Sequence, residues 1–331
     1  MLTLSDPTLE EYWQTAVART PMIIVGGGRW GRTWAVAASR ARGDCSNISI
    51  AARTDPDSVR AWVASEREVA GLEVVTSLTD ALRLPNRPVL AVVASRPQDH
   101  VRDAKEALSN ALDVLVEKPI SDNASSGKSL VDFSRQSGKL LGVVTEFALL
   151  PSFHYCARSL GEPVVHARLF WDDQTVEVRY GDTKRHHSET SMLVDLLPHA
   201  YSIFRIFART GALRIVALRG DNQHRSLYFQ DGSGNRYELH CNKAAAMRRR
   251  HLELESFQHR ASVEFANAIP RVTVDGRERF NPVTSYMTST LRLALGSFVT
   301  ARSGRAAPSP LVDCVDELVA LQDQLEGREA R

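Results

Sequence analysis

Six short apolar runs recur between residues 22 and 144, and helical spacing follows each of the first five. The runs cover 22–25, 47–52, 73–75, 89–94, 114–116 and 140–144. They are close to continuously apolar rather than alternating, as expected for strands buried on both faces of a parallel sheet. Helices are expected at 34–42, 59–69, 79–84, 101–111 and 125–137. A short helix over 7–17 precedes the first strand, with Thr8 as its cap and Glu10 and Glu11 in its first turn. This β–α alternation specifies an α/β domain built on a doubly wound parallel sheet.

The pattern changes after Pro151. A helix at 154–160 leads into a longer strand at 164–171, and a second helix is expected over 191–207. Strands then follow at 214–218, 226–230, 236–241, 252–256 and 262–265, with Asp231-Gly232-Ser233-Gly234-Asn235 as a hairpin loop. Consecutive strands joined by turns give a C-terminal α+β domain with a mostly antiparallel open sheet. Helices at 288–300 and 311–325 close the chain around a loop at 302–310. With 331 residues, two domains are expected. The first runs over 1–145 and the second over 146–331, with the helix at 311–325 packing back towards the junction.

Forty-one basic residues against 39 acidic ones leave a net charge of +2, without the basic excess of a general nucleic-acid binder. Cys45, Cys156, Cys241 and Cys314 are too dispersed for zinc-finger or redox spacing and read as reduced thiols. The first eleven residues lack the basic start of an export signal, and no apolar run is long enough to span a bilayer. A cytoplasmic protein with no membrane partner is expected.

Gly26-Gly27-Gly28-Arg29-Trp30-Gly31 follows the first strand and opens a helix. Gly26, Gly28 and Gly31 fit G-x-G-x-x-G. The first glycine permits a tight turn, the second lets a pyrophosphate approach the backbone, and the third lets helix and strand pack closely. Strand, turn and helix together make a Rossmann dinucleotide-binding unit. The second strand ends in Ala51-Ala52-Arg53-Thr54, where an NAD site places an acid for the ribose. A guanidinium at Arg53 and a hydroxyl at Thr54 suit a 2′-phosphate, so NADP(H) is favoured. Asp55 keeps NAD(H) open.

Two further constellations carry chemistry. Glu117-Lys118-Pro119 ends the fifth strand, at the edge where open α/β sheets bind ligands, and Pro119 is a candidate cis proline. The turn Ser95-Arg96-Pro97-Gln98-Asp99-His100 leaves the fourth strand and should border the nicotinamide half of the cofactor. Asp195 and His199 stand four apart on one helix face, where a carboxylate can orient an imidazole. Pro198 should kink that helix or start it.

With these motifs, its size and its domain order, the whole chain resembles the Gfo/Idh/MocA oxidoreductases, named for glucose–fructose oxidoreductase and inositol dehydrogenase. The resemblance implies Lys118, Asp195 and His199 as the catalytic set. His199 would be the general acid/base, Lys118 would orient the reacting oxygen or nitrogen, and Asp195 would position substrate or tune His199. It implies cofactor contacts from Gly26, Gly28, Arg29, Trp30, Gly31, Arg53, Thr54, Ser95, Arg96, His100, Glu117 and Lys118. The chain departs from the family pattern at Arg96, at Thr145-Glu146-Phe147 before Pro151, and at His187-Ser188-Glu189-Thr190-Ser191-Met192 before Asp195. These departures leave the cofactor reading intact and bear on the substrate, for which Glu146, Trp171 and His187 are candidate contacts.

No metal is expected, since His186-His187 has no third ligand at useful spacing. Arg248-Arg249-Arg250-His251 reads as the solvated start of an edge strand. The expected activity is hydride transfer between NADP(H) and a polyol, sugar or keto-sugar. An imine reductase uses the same parts. A non-catalytic NADP-binding regulatory protein would keep the glycine loop and lose the Lys/Asp/His set. The open sheet, with candidate segments at 164–171 and 252–265, implies a homodimer or homotetramer.

Overall fold

A computed structural model of the chain describes residues 15–174, 177–179, 182–184, 191–208, 211–221, 223–267, 269–279, 287–303 and 309–330. The helix expected over 7–17 lies mostly outside them, as does the pair His186-His187.

The first unit is a six-stranded parallel sheet. Its strands are β1 (Met22–Val25), β2 (Ile48–Ala51), β3 (Glu73–Val75), β4 (Leu90–Val93), β5 (Asp113–Val116) and β6 (Leu141–Val143), in the order β3-β2-β1-β4-β5-β6. Strands β1, β2, β4 and β5 are buried at every residue, which is why their sequences carry no alternation. The intervening helices are α1 (Arg29–Arg42), α2 (Pro56–Ser65), α3 (Leu78–Ala81), α4 (His100–Ser109) and α5 (Ala124–Ser137). The strand order reverses between β1 and β4, and in such sheets the ligand crevice lies outside the carboxyl ends at this switch point.

The second unit begins at Phe147. Helix α6 (Pro151–Leu160) leads to β7 (Val164–Gln174), followed by the short antiparallel pair β8 (Glu177–Arg179) and β9 (Asp182–Lys184). Helix α7 (Met192–Phe207) comes next and runs through Pro198 rather than starting at it. Strands β10 (Arg214–Gly220), β11 (His224–Gln230), β12 (Arg236–Ala245), β13 (Arg249–Ser256), β14 (Arg260–Glu264), β15 (Arg271–Val274) and β16 (Arg277–Arg279) complete an eight-stranded sheet. Its order is β10-β11-β12-β7-β13-β14-β15-β16, antiparallel except for the pair β7–β12. The expected loop joins β11 to β12, with Asp231 Oδ1 accepting from the backbone of Ser233 and Asn235.

The inner face of this sheet alternates strictly along β13, where Arg250, Leu252, Leu254 and Ser256 are buried. Phe204 of α7 packs on Phe229 and Tyr237, at centroid distances of 5.6 and 5.4 Å. The outer face carries ion pairs instead. Glu238 accepts from His166 and His240, each at 2.9 Å, and Arg168 meets Glu253 at 2.9 Å.

The structure departs from the sequence-based expectations in several places. The basic run at 248–251 is not a solvated edge, because β13 lies between β7 and β14 and Arg250 is buried. The hairpin β15–β16 went unread, although Asp275-Gly276 is the turn that a tight hairpin requires, with φ of 50° and 74°. The second half also does not keep the chain to its end: residues 288–319 pack with the first unit. Helix α8 (Met287–Arg302) seats the fully buried Phe298 against Gly142, where an added Cβ would fall 2.7 Å from the ring, and Arg302 Nε meets Asp113 at 2.6 Å. The helix expected at 311–325 is broken into α9 (Pro310–Asp313) and α10 (Val315–Glu329). Near its start Asp316 pairs with Arg135, and near its end Gln324 accepts from the Ile215 backbone N–H.

All four cysteines are free and buried. Among the described residues, no helix is long and apolar enough to cross a membrane, and no cluster of side chains could hold a metal ion.

Candidate active site

The glycine turn follows β1 at the switch point. Gly26 has φ of 124°, and a Cβ there would lie 2.6 Å from the Ala94 carbonyl oxygen, so only glycine lets the chain turn beside the end of β4. At Gly31 a Cβ would fall 1.7 Å from the Gly26 carbonyl, so α1 packs directly on the turn. Gly28 caps α1 with no side-chain bond, and a Cβ there would meet nothing within 4 Å. The first turn of α1 carries no acid. An uncapped helix N-terminus behind an open glycine suits a pyrophosphate. Arg29 is exposed, with its guanidinium 5.4 Å from the Trp30 ring centroid.

At the end of β2, Arg53 is turned towards α4, pairing with the buried Asp103 at 2.8 Å and with Glu106 at 2.9 Å. Its charge is therefore shared with two carboxylates. Thr54 is exposed. Asp55 caps α2, accepting from the Ser58 backbone N–H at 3.0 Å. A residue that the sequence did not single out stands beside them. Arg32 donates from Nε to the Gly27 carbonyl at 3.2 Å and from Nη2 to Ser58 Oγ at 2.8 Å. Its guanidinium lies 5.4 Å from the Trp62 ring centroid. These anchors are all neutral.

The ends of β4 and β5 are tied together by buried polar groups. His100 is 1% exposed, with one ring nitrogen 2.8 Å from the Pro119 carbonyl and the other 3.1 Å from that of Ser95. It thus shapes two loops rather than reaching outward. Glu117 accepts from Trp34 Nε1 at 2.7 Å and from the Lys118 backbone N–H at 3.1 Å, fixing α1 to the end of β5. The Lys118–Pro119 bond is cis, as expected, and Lys118 is half-buried. Ser95 is half-buried, and Arg96 is exposed at the start of a 3₁₀ turn.

In the second unit, Asp195 lies in the first turn of α7 and His199 one turn later, 6% exposed. The imidazole stacks on Trp171 of β7, with centroids 5.0 Å apart and planes at 11°. Phe147 meets it edge-on at 5.0 Å and 86°. Trp171, expected to face substrate, is only 7% exposed and forms a wall against His199. Beside it, Arg250 lies 4.0 Å from the Trp171 ring centroid and pairs with Asp173. Glu146 is half-buried at the start of a 3₁₀ turn, and His187 lies outside the described residues.

Within the first unit, the structure therefore gathers Gly26, Gly31, Ser95, His100, Glu117 and Lys118, and draws Arg53 aside. Within the second it brings Trp171 to His199. Arg32, Trp34, Phe147 and Arg250 were missed. For Arg250 a signal was present, since it shares its parity with Leu252 and Leu254. For Arg32 and Trp34 there was none, because their side-chain partners Ser58 and Glu117 are 26 and 83 residues away.

Comparison with known proteins agrees with this architecture. Residues 21–145 match the family model GFO_IDH_MocA, described as an oxidoreductase family with an NAD-binding Rossmann fold. The fold is similar to that of a UDP-N-acetylglucosamine 3-dehydrogenase from Acidithiobacillus ferrooxidans, with TM-score 0.72 and 13% identity over 93% of this chain and 96% of that one. It is similar to a 3-ketoreductase from Actinomadura kijaniata solved with NADP and TDP-benzene, with TM-score 0.73 and 16% identity over 93% and 97%. It also resembles a biliverdin reductase from Synechocystis sp. PCC 6803 solved with biliverdin and NADP+, with TM-score 0.68 and 18% identity over 93% and 98%. No curated protein sequence matches the chain.

The setting of His100 predicts a pH dependence. Burial lowers its proton affinity below the ordinary value of 6.5, outweighing the two carbonyls that favour the charged ring. The unfolded chain then binds the proton more readily, so stability falls as pH drops through 6.5 and is fully present above it. Urea unfolding of the wild type and of His100→Gln at pH 7.5 and 5.5 should show a smaller acid loss in the variant. An equal loss in both would remove His100 as a source of the slope.

Proposed function

We propose that the chain is an NAD(P)-dependent oxidoreductase of the Gfo/Idh/MocA kind and that it moves hydride between NADP(H) and a polyol, sugar or keto-sugar, with His199 as general acid/base and with Lys118 and Asp195 completing the catalytic set. The observation that carries this reading is the glycine turn, with Gly31 packed on Gly26 and an open Gly28 at an uncapped helix start.

Gly26, Gly28, Gly31 and the first turn of α1 would hold the pyrophosphate, with Arg29, Trp30, Ser95 and Arg96 bordering the cofactor. The bound nicotinamide supplies or accepts the hydride. His199 takes the hydroxyl proton when an alcohol is oxidised and gives it back when a ketone is reduced. Lys118 orients the reacting oxygen and offsets negative charge developing on it. Asp195, in the first turn of α7, positions substrate or tunes the imidazole. Packing by Trp171 and Phe147 fixes the plane of His199, so its proton is directed before substrate binds. Glu146 and His187 are the substrate contacts that this reading retains.

Lys118→Ala and His199→Ala should each lower hydride transfer by about 10²- to 10⁴-fold while NADPH fluorescence titration stays near wild type. Turnover would be followed spectrophotometrically over polyols, keto-sugars and cyclic imines. Turnover confined to imines would favour an imine reductase. Wild-type turnover in both variants would remove the Lys/Asp/His assignment, and no turnover with any substrate would favour a regulatory cofactor binder.

Preference for NADP(H) rests on two features at the end of β2. The single acid there, Asp55, already caps α2. Arg32 is anchored only by the Gly27 carbonyl, Ser58 Oγ and the Trp62 ring, so its charge is not cancelled by a carboxylate among the described residues. With Thr54, and with Arg53 screened by its own acids, it offers a cation to a 2′-phosphate. Arg32→Ala should weaken NADPH by about tenfold or more and leave NADH within about twofold. Equal effects on both, or tighter NADH binding by the wild type, would overturn the preference.

The partner of the outer sheet face is read as a second copy of the chain, giving a homodimer or homotetramer. That face presents both signs of charge, with Arg168, Arg249, Glu238 and Glu253, around the half-buried rings of Phe170 and Tyr228. Mixed charge of this kind is self-complementary across a two-fold axis. Size-exclusion chromatography with light scattering should give a multiple of 36.7 kDa, and a monomer alone would count against it.

A further inference from the structure

Arg250 is a buried cation of the second unit that the proposed hydride transfer does not use. Arg250 is 2% exposed on the inner face of the sheet, directly across from Trp171 in the β7–β13 register. Its guanidinium lies 4.0 Å from the Trp171 ring centroid. It donates to the Asp172 carbonyl at 2.6 Å and pairs with the Asp173 carboxylate. The same indole stacks nearly parallel on His199.

We propose that Arg250 and Asp173 are positioning residues that set the protonation of His199 through Trp171. The proposal rests on the reading of His199 as the acid/base group. A π face attracts cations, and a protonated His199 and the permanently charged Arg250 draw on the same indole. Two cations on one ring, in a pocket with little water, repel each other more than they would in solvent. Arg250 therefore disfavours the imidazolium and leaves the ring ready to release its proton. Asp173 works in the opposite sense, since it offsets Arg250 and on its own would favour the charged ring. The pair holds the balance between them.

Other elements around His199 contribute fixed groups. Its own helix carries Asp195, and the 3₁₀ turn that carries Phe147 also carries Glu146. Phe147 and Phe265, which packs against Phe147 at 5.7 Å, are neutral. Asp172 gives Arg250 its carbonyl. All of these stay the same when only Arg250 or Asp173 is replaced, so differences report on the pair.

The test is the titration of His199 in the full-length protein, followed by the NMR resonance of its ring Cε1–H and identified by its loss in His199→Asn. Arg250→Met should raise the midpoint by about one pH unit, and the near-isosteric Asp173→Asn should lower it by a similar amount. A residue that merely held the sheet together would move both variants in one direction or in neither. Opposite shifts support the proposal. Shifts of the same sign, midpoints all within about 0.2 units, or a ring that titrates in none of the three proteins overturn it. If Arg250→Met fails to fold, Asp173→Asn decides alone, a downward shift supporting the proposal and any other result overturning it. The readout needs no turnover. If His199→Asn remains active while the shifts are opposite, the coupling stands and the acid/base assignment falls.

Discussion

Gly31 and the carbonyl of Gly26 are packed so closely that one added carbon at residue 31 would fall 1.7 Å from that oxygen, and the spacing around the phosphate loop follows from this contact. It lays α1 directly on the end of β1. From there Trp34, fully buried, reaches across to the carboxylate at the end of β5. On the other side, the Gly26 N–H donates to Ala51 and the Ala94 N–H to Val25, which sets the ends of β2, β1 and β4 level. A larger residue at Gly31 would push the helix outward and separate Trp34 from Glu117 as well as closing the loop. Geometry at the cofactor end of the sheet is therefore held by backbone contact first and by side chains second.

Much of this was legible in the sequence because it depends on local pattern. Four-residue strands buried on both faces leave uninterrupted apolar runs, and the glycine spacing falls between a run and a helical period. The Asp195–His199 spacing was legible for the same reason, since one helical turn relates them. Arg53 shows where such reading ends. Its residue type and place suited a phosphate, yet its partners Asp103 and Glu106 lie fifty or more residues on, and no local pattern reveals that α4 presents them to the end of β2. Trp171 reads from the sequence only as a candidate substrate contact. Strand parity places Trp171 and Asp173 on the inner face with Arg250, and only the pairing of β7 with β13 makes them a unit.

Missed strands and misplaced boundaries have physical causes too. The hairpin at 271–279 carries exposed arginines at alternate positions, so its apolar signal is two valines, and the Asp275-Gly276 turn was the stronger cue. Residues 288–319 were assigned to the second domain because they follow it in the chain. Their packing is fixed by Gly142, whose missing side chain leaves room for the Phe298 ring, and by Asp113, which meets Arg302. A glycine inside a buried strand often marks such a close approach.

Buried charge explains why several residues suited by type to ligand binding are instead fixed to the scaffold. A carboxylate or guanidinium removed from water without a partner costs several kcal/mol, roughly, so a fold that places Glu117, Asp103 or Arg250 inside must pair each one. Those pairings hold the loops in which the exposed or half-buried groups are carried: Glu117 engages the backbone of Lys118, and His100 engages Ser95 and Pro119. Arg32 and His199 are held differently. Neutral groups anchor the first, so its anchors fix position without cancelling charge, and aromatic faces orient the second. A group meant to meet an anion or to exchange a proton keeps its full capacity only if whatever orients it does not also neutralise it. By that criterion Arg32 is better suited than Arg53 to read a phosphate. On the coupling proposed above, His199 is in turn sensitive to the Arg250–Asp173 pair that shares its aromatic wall.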